Sequence, residues 1–190
     1  MEKKVITAAW EEVRLHSLRF TMSDVTKRLR MSKSSLYKLV PSKDVLIHEM
    51  QQYMIDTFNQ REQQILTAPA PVITKIRNLV QVYLEMMQPV TSSGYLEDLQ
   101  IMYPDEYERW QCFYTEKVAD VMRLLEQGAT DGIFRPVCLP VVQHCLYVSA
   151  VALADTQFLK QYDLTYQQAV ETLEDVLFYG LMVPKTDMDD

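Results

Sequence analysis

The sequence predicts an all-α protein, and three features indicate this fold class. Glycine occurs only four times in 190 residues, whereas most β-architectures need many glycines in their turns. Apolar residues recur along most of the chain at the three- and four-residue spacing of a helix with one buried face. The sequence shows neither strand-like alternation nor internal repeats. Because 48% of the residues are hydrophobic, the chain can bury a sizeable core.

The N-terminal quarter predicts three short helices. The first spans residues 2–16, where the apolar residues fall on one helical face. Thr21 is placed to cap the second helix, and Asp24 can return its hydrogen bond in a variant of the capping box. That helix is expected to end near Leu29. Ser32 is placed to cap a third helix, Lys33–Leu39, which ends before Pro41 because a proline disfavours helical geometry in the residue before it.

Longer helices are predicted for the remainder of the chain. Ser42 is expected to cap a fourth helix that runs to about residue 66, with Asp44 in its first turn. Pro104 opens a long helix that Gly128 and Gly132 bring to an end, and prolines predict loops at 68–71 and 89–94. The other helices are predicted at 72–87, 95–102, 139–159 and 165–182.

Charge is distributed unevenly along the sequence. The whole chain carries a net charge of −7, but residues 1–48 hold ten Lys or Arg and five Asp or Glu, a net charge of +5. A basic end on an acidic body is typical of a protein whose one end binds an anionic polymer. A solvated basic face is the alternative.

The second and third predicted helices have the layout of a helix-turn-helix, two short helices joined by a three-residue turn. The segment 31–46, Met-Ser-Lys-Ser-Ser-Leu-Tyr-Lys-Leu-Val-Pro-Ser-Lys-Asp-Val-Leu, resembles the tetracycline-repressor (TetR) family. That family typically reads Val-Ser-Lys-Gly-Thr-Leu-Tyr-x-Tyr-Phe-x-Ser-Lys-Glu-x-Leu. One departure is Arg30, which occupies a turn position that the family usually gives to glycine.

The resemblance implies an all-helical fold of about nine helices in each subunit of a homodimer. The dimer would bind a double-stranded operator, with DNA affinity tuned by a small ligand. Residues 1–47 would form the DNA-binding domain, and residues 48–190 would form the effector-binding and dimerisation domain. Tyr37 and Lys43 would hold phosphates, and Lys33, Ser34 and Lys38 would read bases. The full set of predicted DNA-binding residues is Thr21, Ser23, Lys33, Ser34, Ser35, Tyr37, Lys38 and Lys43.

Aromatic and methionine side chains on the central helices are candidates for the lining of an apolar ligand pocket. For any one of them, packing in the core is the commoner role. The predicted pocket residues are Tyr53, Phe58, Tyr83, Met86, Met87, Met102, Tyr103, Trp110, Phe113, Tyr114 and Tyr147.

The last two predicted helices carry small residues and an apolar three-four repeat, so two such helices from each subunit could form a four-helix interface. The predicted interface residues are Val142, Leu146, Ser149, Ala150, Leu153, Val170, Leu173 and Leu177.

The sequence favours neither an enzyme nor a metalloprotein. It has no glycine-rich phosphate loop and no nucleophile elbow, and its cysteines, Cys112, Cys138 and Cys145, form no CxxC pair. We therefore expect no cofactor, no metal and no membrane segment, and a cytoplasmic protein. Two other functions stay open: a constitutive DNA-binding protein without an effector, and a protein-interaction module whose helix-turn-helix has lost its DNA.

Overall fold

The computed structural model describes residues 2–91, 94–153 and 155–182, and of residues 87–91, 150, 151 and 156 it describes only the backbone. Within these ranges the chain forms ten α-helices and no strand, apart from one isolated antiparallel bridge between Phe134 and Met182. The all-α prediction is confirmed. The helices are α1 (Lys3–His16), α2 (Met22–Leu29), α3 (Lys33–Leu39), α4 (Lys43–Thr67), α5 (Val72–Thr91), α6 (Tyr95–Met102), α7 (Pro104–Thr130), α8 (Leu139–Leu153), α9 (Thr156–Gln161) and α10 (Tyr166–Leu181).

Side-chain caps fix the starts of the two shortest N-terminal helices. The Thr21 hydroxyl accepts the Asp24 N–H, and the Asp24 carboxylate accepts the Thr21 N–H at 3.0 Å, which completes the predicted capping box of α2. The Ser32 hydroxyl accepts the Ser35 N–H at 3.1 Å at the start of α3. Because these caps satisfy N–H groups that a helix leaves unpaired, α3 has the bounds that the sequence predicts.

Two predicted boundaries are wrong. The loop expected at 89–94 begins later, because α5 continues through Pro89 to Thr91; a proline so close to a helix end removes a single backbone hydrogen bond. The single helix expected at 139–159 is two helices, since α8 ends at Leu153 and α9 begins at Thr156. Asp155 caps α9 by accepting the Gln157 N–H at 2.8 Å.

The chain divides into two compact units. The first unit comprises Met1–Arg61 and Met86–Tyr114, and the second comprises Glu62–Glu85 and Thr115–Asp190. The predicted functional boundary between residues 47 and 48 lies inside the first unit, within α4, and stays a prediction.

Each unit has its own apolar core. In the first unit α1 packs against α2 and α2 against α3, around fully buried residues that include Val13, Val25 and Leu36. In the second unit α8 contacts α10, and the buried Tyr166 hydroxyl donates to the Leu84 carbonyl at 2.6 Å. Leu36 therefore anchors α3 to the core of the first unit, and the other residues of that helix are exposed.

Candidate nucleic-acid interface

The turn between α2 and α3 has left-handed backbone geometry at Arg30, with φ 52° and ψ 42°. The Arg30 N–H donates to the Lys27 carbonyl at 3.2 Å, and the Met31 N–H donates to the Thr26 carbonyl at 3.1 Å. This pair of hydrogen bonds is a Schellman motif, in which glycine is the preferred residue. The turn thus keeps the geometry that favours glycine even though the chain places an arginine there.

One surface of α3 gathers five of the eight residues predicted to contact DNA. We define the α3 surface as Lys33, Ser34, Ser35, Tyr37 and Lys38, all of which are exposed. These side chains offer ammonium and hydroxyl groups, which suit phosphates and base edges. Leu36 is fully buried and holds the helix on the first unit.

The serines at the start of α3 bond to one another. The Ser32 hydroxyl lies 3.0 Å from the Ser34 hydroxyl and 2.8 Å from the Ser35 hydroxyl. A seven-residue α3 is about 10 Å long at 1.5 Å per residue, and its exposed side could enter a major groove about 12 Å wide. The hydroxyl cluster would stand at the N-terminal end that helix-turn-helix proteins direct at bases.

The predicted contacts at the start of α2 are partly engaged within the protein. The Thr21 hydroxyl donates to the Asp24 carboxylate at 2.7 Å, and the hydrogen bonds from Thr21 lower the pKa of Asp24 to about 2. Ser23 is half-buried, and its carbonyl accepts the Thr26 hydroxyl. The α2 N-terminus is therefore capped by its own side chains, and the roles of Thr21 and Ser23 toward DNA stay predictions.

Lys43, the predicted phosphate ligand, is half-buried. Its ammonium donates to the Leu18 carbonyl at 2.5 Å and lies 4.7 Å from the centre of the Phe20 ring. Burial lowers the pKa of Lys43 below its ordinary value. The hydrogen bond from Lys43 to Leu18 was not predicted from the sequence, because no local pattern links position 43 to position 18.

The predicted pocket residues are divided between the two units, and the pocket that they would line stays a prediction. Tyr83 and Tyr147 belong to the second unit and the others to the first, while the Met87 side chain lies outside the described residues. In the first unit Phe113 packs edge-on against Phe58, with ring centres 5.4 Å apart, and lies 5.9 Å from Trp110. These three rings are buried and form an aromatic cluster in the core.

The predicted interface residues on α8 and α10 differ in exposure. Leu146 is 9% exposed and Val170 is fully buried, Val142, Ser149, Leu153, Leu173 and Leu177 are half-buried, and the Ala150 side chain lies outside the described residues. The same two helices expose other apolar side chains, which we call the α8–α10 face: Val141, Val148, Val176 and Tyr179. Val141 and Val176 line a groove of about 300 Å³, together with Cys138, Val142, Cys145, Leu177 and Gly180.

No described helix is long and apolar enough to cross a membrane. Within residues 2–91, 94–153 and 155–182, no group of three or more His, Cys, Asp or Glu residues could hold a metal ion.

An all-helical chain with an N-terminal helix-turn-helix of this geometry has the architecture of TetR family regulators. The TetR family transcriptional regulator PfmR from Thermus thermophilus superposes with a TM-score of 0.70 at 13% identity, covering 96% of this chain and 100% of the other. AibR in complex with isovaleryl coenzyme A and operator DNA superposes with a TM-score of 0.65 at 15% identity, covering 92% of this chain and 96% of the other. The predicted resemblance is confirmed at the level of the fold.

A curated protein is similar along nearly the whole sequence. The uncharacterized HTH-type transcriptional regulator YvaF of Bacillus subtilis (strain 168) is 24% identical over 182 residues, which cover 95% of each chain. No family model matches the chain.

Proposed function

We propose that this protein is a homodimeric transcriptional regulator that reads a palindromic DNA operator with α3. The observation that carries the proposal is the α3 surface, five exposed residues able to contact phosphates and base edges on a helix fixed by the Ser32 cap and the left-handed Arg30 turn. The relatives support it, since YvaF is named an HTH-type transcriptional regulator and AibR was solved with operator DNA.

The α8–α10 face supports dimerisation. Residues 136–154 contain no Asp, Glu, Lys or Arg, and Val176 and Tyr179 on α10 are 65% and 78% exposed. A second copy covering this face would bury the apolar side chains that α8 and α10 leave exposed. Because Val170 is fully buried in its own subunit, we assign its predicted place in the interface to Val176 and Tyr179.

The proposed regulation is release from the operator by a small apolar or aromatic ligand, which makes the protein a repressor. Two observations support an effector: the aromatic and methionine side chains of the central helices, and the isovaleryl coenzyme A bound by AibR. A cytoplasmic location and the absence of enzymatic activity follow from the proposed role.

The test is selection of bound sequences from random DNA duplexes, repeated in the presence of a metabolite panel. If the protein is a ligand-responsive regulator, the selection enriches a palindromic sequence, and that enrichment disappears in the presence of one class of metabolite. A constitutive binder keeps the palindrome in every condition, and an interaction module enriches no sequence.

A variant selection tests the role of α3 directly. We expect Lys38→Ala to lose the preference at one position of each half-site, worth about 1–3 kcal/mol for a good contact. Lys4→Ala is the matched control, because Lys4 is an exposed lysine of α1 that pairs with Glu2 at 2.8 Å. Weaker binding with an unchanged preference profile would assign Lys38 to the DNA backbone instead.

A further inference from the structure

Asp98 is a buried carboxylate in the first unit, on α6, and only 7% of its surface is exposed. Its carboxylate lies 3.3 Å from the Arg19 guanidinium, whose own side chain is 80% exposed. The Arg19 guanidinium donates a hydrogen bond to this carboxylate, and α6 contacts the segment Ser17–Arg19. Burying a charge is costly unless it is paired and hydrogen-bonded, and the pairing with Arg19 offsets part of this cost for Asp98.

The segment that Asp98 contacts is a strained turn. Ser17–Arg19 forms a single 3-10 turn between α1 and α2, and Ser17 has φ 52° and ψ −146°. Residues with a Cβ rarely adopt this combination, and strain of this kind persists only where surrounding contacts impose it.

The same turn is attached to the start of α4. Leu18 is fully buried, and its carbonyl accepts the Lys43 ammonium at 2.5 Å. Lys43 is the first residue of α4, three residues after the α3 C-cap at Val40. The turn therefore lies between α6 on one side and the start of α4 on the other.

A second contact fixes α6 in this place. Tyr95, one helical turn before Asp98, is fully buried and packs against the Trp10 ring of α1 with ring centres 5.2 Å apart. Since α6 touches both α1 and the turn that follows it, Asp98 is held at a defined position beside Arg19.

We propose that Asp98 is a positioning residue for DNA recognition. It holds the strained Ser17–Arg19 turn in place, and the turn, through the hydrogen bond that the Lys43 ammonium donates to the Leu18 carbonyl, sets where α4 begins and how α3 is presented. This inference rests on the proposed function. It assigns to α6 a role in DNA binding without any contact with DNA.

The test compares Asp98→Asn with Glu97→Gln, which removes the same charge from an exposed neighbour on α6. Loss of the contact that imposes a strained backbone should release the turn. We expect Asp98→Asn to bind the selected operator ~10-fold more weakly, the scale of one such strained residue. The salt slope should stay unchanged because no phosphate contact is removed. Glu97→Gln should bind as the wild type does.

A second substitution separates positioning from general destabilisation. Glycine adopts positive φ without strain, so Ser17→Gly should make the turn less dependent on Asp98. In the Ser17→Gly background, Asp98→Asn should cost only about 2-fold in affinity, since coupled residues give non-additive effects. If Asp98→Asn alone does not fold, recovery of a folded, DNA-binding double variant supports the proposal, and failure to recover overturns it.

Amide hydrogen exchange gives a readout that needs no DNA. Exchange over residues 17–21 should quicken by ~10-fold in Asp98→Asn and stay unchanged in Glu97→Gln, because local opening follows the loss of the contact. A wild type that selects no duplex would defeat the proposed function while exchange still decides the role of Asp98. A wild type that binds DNA, with Asp98→Asn binding equally well, would overturn the inference alone.

Discussion

The α3 surface and the α8–α10 face are both exposed, but their chemistry is opposite. The α3 surface consists of two lysines, two serines and a tyrosine, whereas the α8–α10 face consists of three valines and a tyrosine beside a charge-free stretch of sequence. A cationic and hydroxylated surface remains hydrated until a polyanion displaces its ions. An apolar face is stabilised only when another apolar surface covers it. The difference indicates two kinds of partner, DNA for one surface and a second copy of the chain for the other.

The largest expected effect comes from placing a charge on the α8–α10 face. Val176→Glu should convert a dimer into a monomer, because a buried unpaired carboxylate would cost several kcal/mol. Operator affinity should fall ~100-fold, since a monomer loses the effective concentration that links the two half-sites. Sedimentation and duplex binding measure both effects.

Gln161→Glu is the control for this prediction, because it adds the same charge at an exposed position on α9 outside the groove. A wild type that is monomeric at micromolar concentration would show that the α8–α10 face does not bind a second copy of the chain.

The two regions also differ in how far the sequence predicts them. The bounds of α3 and the capping of α2 can be read directly, because Thr21, Asp24 and Ser32 act within four residues of their own positions. On α10 the apolar repeat identifies a helix but does not distinguish the side that packs in its own subunit. For that reason the sequence assigns Val170 to the interface, although the residue is fully buried.

Contacts between residues distant in sequence cannot be predicted from local sequence patterns. The attachment of Lys43 to Leu18 and the position of Asp98 beside Arg19 join residues 25 and 79 positions apart. Neither pair leaves a local pattern, since each depends on how the helices fold back on one another. The sequence indicates the special turn position at Arg30 only because the family that it resembles usually has glycine there.

The next prediction concerns Lys43, the predicted phosphate ligand at the start of α4. Its ammonium carries three N–H donors, and one of them donates to the Leu18 carbonyl. We expect Lys43→Ala to weaken operator binding about tenfold and to flatten the salt slope by about 1.8 units, for one phosphate contact in each of two subunits.

The control for Lys43 is Lys160→Ala, which removes an exposed lysine from the second unit. Weaker binding with an unchanged salt slope would show that Lys43 acts only by holding Leu18.

Glu174 of α10 should make the stability of the second unit depend on pH. Burial raises the pKa of Glu174 to about 7, with Arg77 opposing the shift and Asp175, Glu171 and Glu85 adding to it. The folded state therefore favours the protonated acid, and stability is lost as the pH rises from 4.5 through about 7. Glu174→Gln should stabilise the protein by about 1 kcal/mol at pH 8, after allowance for partial exposure, and by little at pH 5.

Thermal unfolding at the two pH values measures this effect. Glu126→Gln is the control, because Glu126 is an exposed acid of the second unit and is not one of the charges that shift the pKa of Glu174. A stabilisation of equal size at both pH values would show that Glu174 does not titrate in this range.

The smallest expected effect concerns the left-handed residue of the helix-turn-helix. Arg30 has φ 52°, a conformation that costs an L-residue about 1–2 kcal/mol relative to glycine. Arg30→Gly relieves that strain but adds about 0.4–1 kcal/mol of unfolded-state entropy. The net stabilisation should be about 0.5–1 kcal/mol, or roughly 1–4 °C in the melting temperature of a chain this size.

Arg30→Ala separates the two causes, because it removes the long side chain and keeps the Cβ that creates the strain. If alanine and glycine raise the melting temperature equally, the gain comes from the loss of the guanidinium, and the turn carries no strain. If only glycine raises it, the chain retains a strained arginine in the turn before α3, and a loss of operator affinity common to both variants would indicate that the Arg30 side chain contributes to DNA binding.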